Sequence, residues 1–529
     1  MESVITFEKI SKWPENKRGL YYIILISVVL KLFLFLSYSM VNKDGMLYIE
    51  AAQKIAGGHF KEGLSIYPMP FYPILISMFH FLIPDWVSAA RIISITFIVF
   101  TLVPLYLLTK KLFDRNAAFW ACLAFAIAPF PNDLADGVIR DPGFIFCIAW
   151  AVYFAFRSSQ EPRIFFLFMT AVFSVSSIFF RIEGIILILF SPVYFLALYF
   201  IEKQKRAYLL KGSILLIMVP LFLLIIFFIF GQNSTNSFNR SFEIYSEFQR
   251  LFKIEFLDNY YVLSDQLKTL SQSSPVSGLR NNFSEITLHY IPVIYLLGLI
   301  ETFIVVLSPL FLLPLFFSFN GMVQTNRVFV VCAFWLYILM AYYFLVKMDF
   351  LTSRFLSIPA LLIYPWIGAG MHRFFEYLSG KLSQKVFAAL FLLFFTMPVY
   401  ECFEREWKQD NSLMVAAKWI ANNPDTRKLR IITEDKRFLL YAGREYMVED
   451  AFSGTSSDAF YNLDTQGGNY NELEQIAMQK KFDLVLLRVS LKKEVPKFKY
   501  LKKLKEFKGT KNISYVFSSP EVADKIGSK

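Results

Sequence analysis

An apolar run of membrane-spanning length, followed at once by an acidic segment, decides the fold of this chain. Residues 20–50 read LYYIILISVVLKLFLFLSYSMVNKDGMLYIE. A helix needs about 20 apolar residues to cross a bilayer, and residues 20–41 supply them. Because the run lacks a small-residue cleavage site, it predicts an uncleaved first transmembrane helix and not a signal peptide. Asp44 lies just beyond its end.

The composition of the whole chain predicts a polytopic α-helical membrane protein. Of its 529 residues, 56% are hydrophobic and only 18% are charged, and the mean hydropathy is +0.47. A soluble globular protein does not need so much apolar surface. A net charge of +12 would suggest nucleic acid in a soluble protein, but much of the basic excess falls in short loops between apolar runs. There it sets helix orientation, so we expect membrane lipids as partners and no nucleic acid.

Apolar runs of sufficient length predict about 11 transmembrane helices. When the sides are alternated along the chain, the lysines and arginines of the connecting loops gather on one face. The positive-inside rule makes that face, with the N-terminus, cytoplasmic. An odd number of spans then places the C-terminal tail outside the cell's inner (plasma) membrane. The runs lie near 20–41, 86–109, 116–131, 138–156, 163–180, 184–201, 209–231, 290–318, 327–347, 354–371 and 385–400.

The chain divides into a transmembrane part, 1–400, and a soluble extracytoplasmic domain, 401–529. The transmembrane part has outer loops at 42–85, 132–141 and 232–289, and the aromatic and charged residues of 238–261 suggest an interfacial helix. In the tail, helices alternate with short apolar strands, which predicts a small α/β domain. The predicted tail helices are 412–421 and 471–480, and the strands are 429–433, 482–487 and 513–517. A lysine-rich run at 492–508 is interpreted as a solvated face.

Acidic residues in the outer loops are candidates for chemistry. Asp44 follows the first helix, and Asp141 opens the fourth, directly after Arg140. A carboxylate at that surface can take a proton from a hydroxyl or steer an acceptor. Loop aspartates also commonly cap helices, and this is the interpretation favoured for Asp133 and Asp136.

Arginines on the same face supply the complementary charge. Arg181 joins two helices on the outer side, and Arg354 opens a late helix there. A guanidinium group suits a phosphate through paired, charge-assisted hydrogen bonds. A single arginine at this depth can equally be a snorkelling anchor; two on the face that carries the acids favour a binding site. Deeper in the bilayer, Lys31 and Glu301 predict a structural ion pair, because charges inside membranes are usually paired.

In its first 375 or so residues the chain resembles the GT-C superfamily of membrane glycosyltransferases. It is most similar to the protein mannosyltransferase and aminoarabinose transferase branch and to bacterial family-39 proteins. One departure is Gly45, since some members have a second acid after the first. The matching segments are Asp44, Tyr48, Gly57-Gly58-His59-Phe60, Tyr67-Pro68, Tyr72-Pro73, Arg140-Asp141-Pro142, Arg181-Ile182-Glu183-Gly184, and Arg354-Phe355-Leu356 with Pro359.

The resemblance implies an inverting glycosyltransferase that uses a sugar linked to polyprenyl phosphate. Asp44 would be the base that deprotonates the acceptor hydroxyl, and Asp141 would orient the acceptor or help to hold Asp44. Arg181 and Arg354 would stabilise the leaving phosphate. The other residues expected at the substrate are Arg140, Tyr48, Tyr67 and Tyr72. No cofactor or divalent metal is indicated, and the acceptor could be a lipid, a protein or a glycan.

Other classes of protein share some of these features. A flippase or transporter of lipid-linked sugars would explain the spans, but not the acids confined to outer loops. It would also be expected to show an inverted hydropathy repeat, and none is evident. A surface-glycan ligase or polymerase would carry its key residues in a long outer loop, whereas here the first loop holds the motif. A non-catalytic scaffold predicts that Asp44→Asn is silent.

Overall fold

The structure is a computed structural model, and its main constituent is the α-helix. It describes residues 18–36, 40–67, 69–231, 257–273, 277–318, 327–426, 429–444, 459–460 and 470–527. The chain forms two compact units. One comprises the described parts of 1–34 and 47–402, and the other those of 35–46 and 403–529. The short segment before and around Asp44 therefore groups with the C-terminal region.

The predicted polytopic architecture is confirmed. Within the described residues, nine helices are long and apolar enough to cross a membrane. A tenth span is formed if Arg115–Ile127 and Pro129–Asp136, which meet at a 53° bend, count as one. The remaining predicted run, 163–180, corresponds to Ile164–Ile178, a helix of only 15 residues. The nine are Gly19–Leu36, Trp86–Leu112, Asp141–Gln160, Ile182–Ile201, Lys203–Leu223, Ile286–Leu307, Val328–Met348, Ser353–Lys381 and Gln384–Arg405.

The segments predicted as outer loops contain more helix than the sequence analysis expected. The segment 42–85 holds three helices, Lys43–Ala56, Phe60–Ile66 and Phe71–His80. Asp258–Ser273 is also helical, and a 31-residue helix, Ser277–Leu307, begins inside the predicted loop 232–289. Residues 232–256, which include most of the expected interfacial helix, lie outside the described residues.

Close helix packing forms the centre of the transmembrane unit. The helix Ser357–Lys381 is buried over most of its length against Arg115–Ile127. Gly368 makes this approach possible, because a Cβ atom there would lie 2.2 Å from the carbonyl oxygen of Ala117. Trp120 and Trp366 are fully buried in the same region. This pair of helices gives the unit a rigid frame.

The C-terminal region forms the predicted small α/β domain. Its described residues form five strands, β1 (Ile431–Thr433), β2 (Ala459–Phe460), β3 (Leu484–Ser490), β4 (Lys502–Lys508) and β5 (Asn512–Ser518), in the order β2-β1-β3-β5-β4. The β2-β1-β3 part is parallel, and β5 and β4 are antiparallel. Two apolar clusters pack against the sheet. The helices of the domain are Ser412–Asn422, Lys436–Tyr441, Tyr470–Gln479 and Pro520–Gly527.

The lysine-rich run contains a strand that the sequence analysis missed. β4 is an edge strand, and most of its residues are exposed. Lysines on an edge strand hinder pairing with another chain. The composition of this run is therefore explained by its position at the end of the sheet.

Candidate functional site

The centre of the candidate site is a fully buried carboxylate bound by two arginines. Asp141 is the first residue of the helix Asp141–Gln160 and is 0% exposed. One of its oxygens accepts a hydrogen bond from Nη1 of Arg181. The other accepts from Nε and Nη2 of Arg354, at 3.0 and 2.6 Å. Asp141 thus joins two arginines that are 173 positions apart in the sequence, from Arg181 to Arg354.

A second buried acid, Glu183, completes the pairing of Arg181. Nε of Arg181 donates to Oε1 of Glu183 at 3.0 Å, and Nη2 of Arg181 also contacts this oxygen. The turn is tight at Gly184, where a Cβ atom would lie 2.1 Å from Oγ of Ser177. Sequence reasoning quoted Glu183 within the Arg181 motif but gave it no role. Its position two residues after a predicted phosphate ligand was the available signal.

Arg140 brings a third positive charge to this region. It precedes Asp141, and its guanidinium lies over the ring of Tyr67, 5.3 Å from the ring centre. Its Nε atom is buried and has no hydrogen-bond partner among the described residues. Three arginines with the acids Asp141 and Glu183 leave one positive charge in excess. A site with that excess favours an anion.

The three predicted tyrosines form one aromatic cluster. The ring of Tyr48 meets those of Tyr67 and Tyr72 edge to face, with centres 4.7 and 5.4 Å apart. Tyr48 and Tyr72 are each 1% exposed, and the Tyr72 hydroxyl bonds to Ser94 Oγ at 2.9 Å. Tyr48 and Tyr72 are therefore packed against their neighbours, and their expected contact with substrate stays a prediction. Tyr67 supports Arg140.

A cleft opens beside the arginines. It is narrow, with a cavity volume of about 10 Å³, and is lined by Arg181, Glu183 and Arg354 together with aromatic side chains. Arg354 retains 25% of its side-chain exposure, whereas Arg181 retains 6%. The hydroxyl of Tyr337 is buried at this cleft without a hydrogen-bond partner among the described residues. Sequence reasoning missed Tyr337, because a tyrosine in an apolar helix carries no distinguishing pattern.

Asp44 belongs to the other compact unit. It is exposed in the first turn of the helix Lys43–Ala56. Asn42 caps this helix, since its Oδ1 accepts the N–H of Gly45 at 2.6 Å and its carbonyl accepts that of Met46 at 3.4 Å. The acidic residue therefore has a defined place at a helix N-terminus. Its predicted role as a base stays a prediction.

The predicted ion pair between Lys31 and Glu301 is wrong. Lys31 is 1% exposed, and its Nζ donates to Ser27 Oγ at 2.9 Å, Asn132 Oδ1 at 3.0 Å and the Ala126 carbonyl at 3.4 Å. Glu301 is exposed on the surface of its helix. Uncharged acceptors at the helix bend satisfy the ammonium group, so it needs no carboxylate.

Asp136 also departs from its expected role. It was expected to cap a helix, but it is the last residue of Pro129–Asp136 and forms a buried ion pair with Arg91. Nε of Arg91 in addition donates to the carbonyl of Asp136 at 3.0 Å.

Among the described residues, no group of three or more His, Cys, Asp or Glu side chains is arranged to hold a metal ion.

Comparison with known proteins shows what part of the chain and its fold are similar to. Residues 67–230 match the family described as dolichyl-phosphate-mannose-protein mannosyltransferase. The structure resembles ArnT from Cupriavidus metallidurans bound to undecaprenyl phosphate, with a TM-score of 0.54 and 12% identity, over 95% of this chain and 98% of that one. It also resembles the Archaeoglobus fulgidus oligosaccharyltransferase in complex with Zn and sulfate, with a TM-score of 0.50 and 12% identity, over 89% and 67% of the two chains. No curated protein sequence matches the chain. The predicted resemblance to GT-C glycosyltransferases is confirmed, and the fold is of that type.

Proposed function

We propose that this multi-pass membrane protein is an inverting glycosyltransferase that uses a polyprenyl-phosphate sugar. The observation that carries the proposal is the arginine cluster held by Asp141, with its excess positive charge and an Arg354 side chain that reaches the cleft. A phosphate is the leaving group that such a cluster suits. The similarity to an undecaprenyl-phosphate-bound protein supports the same donor class.

The reaction needs a base, an electrophilic carbon and a stabilised leaving group. Asp44 takes the proton from the acceptor hydroxyl as its oxygen attacks the anomeric carbon of the sugar. The new glycosidic bond forms on the face opposite the phosphate, so the configuration inverts. The bond from the anomeric carbon to the phosphate oxygen breaks, and its electron pair leaves with polyprenyl phosphate. Arg354 and Arg181 stabilise the negative charge that develops there.

We assign Asp141 the task of holding the two arginines, in place of the two roles that the resemblance implied, which were to orient the acceptor or to help to hold Asp44. Each of its oxygens is engaged by a guanidinium group. It therefore orients Arg181 and Arg354 towards the phosphate rather than orienting the acceptor. Preorganised charges of this kind act without having to rearrange during the reaction.

The proposal has two further parts, one on metal ions and one on the side of the membrane, and both follow from the distribution of charge. The reaction uses no metal ion, since arginines supply the positive charge at the phosphate, and we expect EDTA to leave the rate unchanged. The transfer takes place on the outer side of the membrane, and the N-terminus lies in the cytoplasm, in accord with the basic loops.

The experiment is transfer by the purified protein in lipid nanodiscs. The donors are undecaprenyl-phosphate mannose, glucose and galactose; the acceptors are lipid A, a serine-rich peptide and a glycan. We expect undecaprenyl phosphate to be released in step with a glycosylated product whose anomeric configuration, measured by NMR, is opposite to that of the donor. Movement of the intact donor across a liposome bilayer, without any transfer, would instead indicate a flippase and overturn the proposal.

A further inference from the structure

The backbone just before Asp44 is held by side chains of the C-terminal domain. The N–H of Met40 donates to Oε1 of Gln409 at 3.2 Å, and the N–H of Val41 donates to the hydroxyl of Tyr441 at 2.8 Å. Nη1 of Arg437 donates to the carbonyl of Val41 at 3.3 Å. We call Gln409, Arg437 and Tyr441 the clamp. Its bonds reach across about 400 residues of sequence between Val41 and Tyr441.

The clamp is itself fixed within its domain. Arg437 forms an ion pair with Asp435, whose Oδ1 accepts from Nε at 2.8 Å, and both side chains are largely buried. Asp435 also caps the helix that carries Arg437 and Tyr441. Tyr441 and Met40 both pack against one of the apolar clusters of the domain. The clamp therefore moves with the body of the domain.

Only two residues separate the clamped Val41 from Asp44. Asn42, the next residue, caps the helix in whose first turn Asp44 lies. Fixing both the N–H and the carbonyl of Val41 fixes the entry of the chain into that cap. The position of the Asp44 carboxylate thus depends on the C-terminal domain.

We propose that Tyr441, together with Arg437, is a positioning residue for Asp44, so that the C-terminal domain takes part in catalysis by holding the base. This inference rests on the proposed function, because it takes Asp44 as the base of the transfer. It assigns the domain a task other than acceptor recognition. A misplacement of about 1 Å can cost a reaction about 10²-fold in rate.

The test compares the full-length protein with its Tyr441→Phe variant in nanodiscs. Tyr470→Phe is the matched control, because Tyr470 packs against the other apolar cluster of the same domain. The phenylalanine at 441 keeps the ring and removes the hydroxyl that accepts the Val41 N–H. We expect faster hydrogen exchange in residues 40–46 of Tyr441→Phe alone, with unchanged exchange in β3 and β5. We also expect its kcat to fall about tenfold, the effect of one lost hydrogen bond, with the KM for the donor unchanged.

A double mutant separates positioning from a general structural effect. If Tyr441 acts through Asp44, the loss caused by Tyr441→Phe should disappear in the Asp44→Asn background. An equal loss in both backgrounds would overturn the inference, as would wild-type exchange and wild-type kcat in Tyr441→Phe. If folded Asp44→Asn is fully active, the proposed base is wrong and the inference falls with it. If Asp44→Asn is inactive while Tyr441→Phe behaves as wild type, only the inference fails.

Discussion

At the scale of single residues, the Asp141 carboxylate shows how charge is accommodated at the candidate site. Removing a carboxylate from water is costly unless it is paired and hydrogen-bonded. Arg181 and Arg354 provide that pairing, and Glu183 compensates the more deeply buried arginine. Arg354 is more exposed than Arg181, so it is the partner of Asp141 whose side chain can turn towards a ligand.

Arg354 is accordingly the arginine whose change should affect the chemistry most directly. We expect Arg354→Gln to lower kcat about 10²-fold, as loss of a preorganised charge does, and also to lower the melting temperature, because Arg181 is then shared between the buried carboxylates of Asp141 and Glu183. The control is Arg373→Gln, in the same helix, where Arg373 is exposed. The measurement is transfer by both variants beside their thermal unfolding. Equal activity of the two variants would remove Arg354 from the site.

The sequence could predict the charged members of the site but not all of their partners. Asp141, Arg181 and Arg354 were found because a charge in an apolar context is conspicuous. The pairing of Lys31 was predicted wrongly, because its partners are an amide, a hydroxyl and a backbone carbonyl. Neutral acceptors do not stand out in a sequence, and the bend that presents them is a tertiary feature.

At the scale of elements, that bend is held by side chains. Arg115–Ile127 and Pro129–Asp136 meet near Ala128. Nδ2 of Asn132 donates to the carbonyls of Ala126 and Ala128 at 3.1 and 2.8 Å, while its Oδ1 accepts from Lys31. Carbonyls freed by a helix break must find donors inside a membrane. Asn132 and Lys31 meet that need.

We expect Asn132→Leu to destabilise the protein by about 1–3 kcal/mol, since it leaves buried polar groups unsatisfied. Glu301→Gln, at an exposed position, should leave stability unchanged. The measurement is the thermal unfolding midpoint of each variant in the same detergent. If Glu301→Lys restored the unfolding midpoint of a Lys31→Glu variant, the two residues would form an ion pair after all, and this interpretation would be contradicted.

The approximate positions of the helices were predictable, because a long apolar run has few alternatives in a membrane. Their ends were less so: the runs predicted at 290–318 and 354–371 correspond to Ser277–Leu307 and Ser357–Lys381. β4 was not predicted, since its exposed lysines give none of the alternation that marks a half-buried strand. The three helices of 42–85 were read as a loop because they are short and rich in turn residues. Their helicity depends on packing of residues such as Tyr48 and Tyr72.

At the scale of the whole molecule, one carboxylate connects the beginning of the C-terminal domain to its last strands. Asp410 accepts the N–H groups of Ser412 and Asn512, at 3.0 and 2.5 Å, and the side-chain amide of Asn512 at 2.8 Å. Burial alone would raise the pKa of Asp410, but the bonds from Ser412 and Asn512 and the charge of Arg488 lower it below its ordinary value. The start of the domain is thereby tied to the β4–β5 turn.

The stability of this domain should therefore fall in acid. A carboxyl whose pKa is lower in the folded state stabilises the fold above its ordinary pKa, and this contribution is lost as the pH falls through the folded-state value. We expect Asp410→Asn to have a less stable domain at neutral pH and a shallower loss of stability as the pH falls through and below the ordinary pKa of an aspartate. Hydrogen exchange of β3 and β5 in the intact protein, corrected for intrinsic rates, measures this. Parallel acid profiles for both proteins would contradict the assignment.

In the proposed function the base is Asp44, which belongs to the same compact unit as the C-terminal domain. The most direct measurement is the kcat of purified Asp44→Asn relative to wild type in nanodiscs, with undecaprenyl phosphate binding determined in parallel. We predict a loss of about 10²–10⁴-fold, as for removal of a general base, with unchanged binding of the lipid phosphate. A folded Asp44→Asn protein that keeps the wild-type kcat would contradict the account.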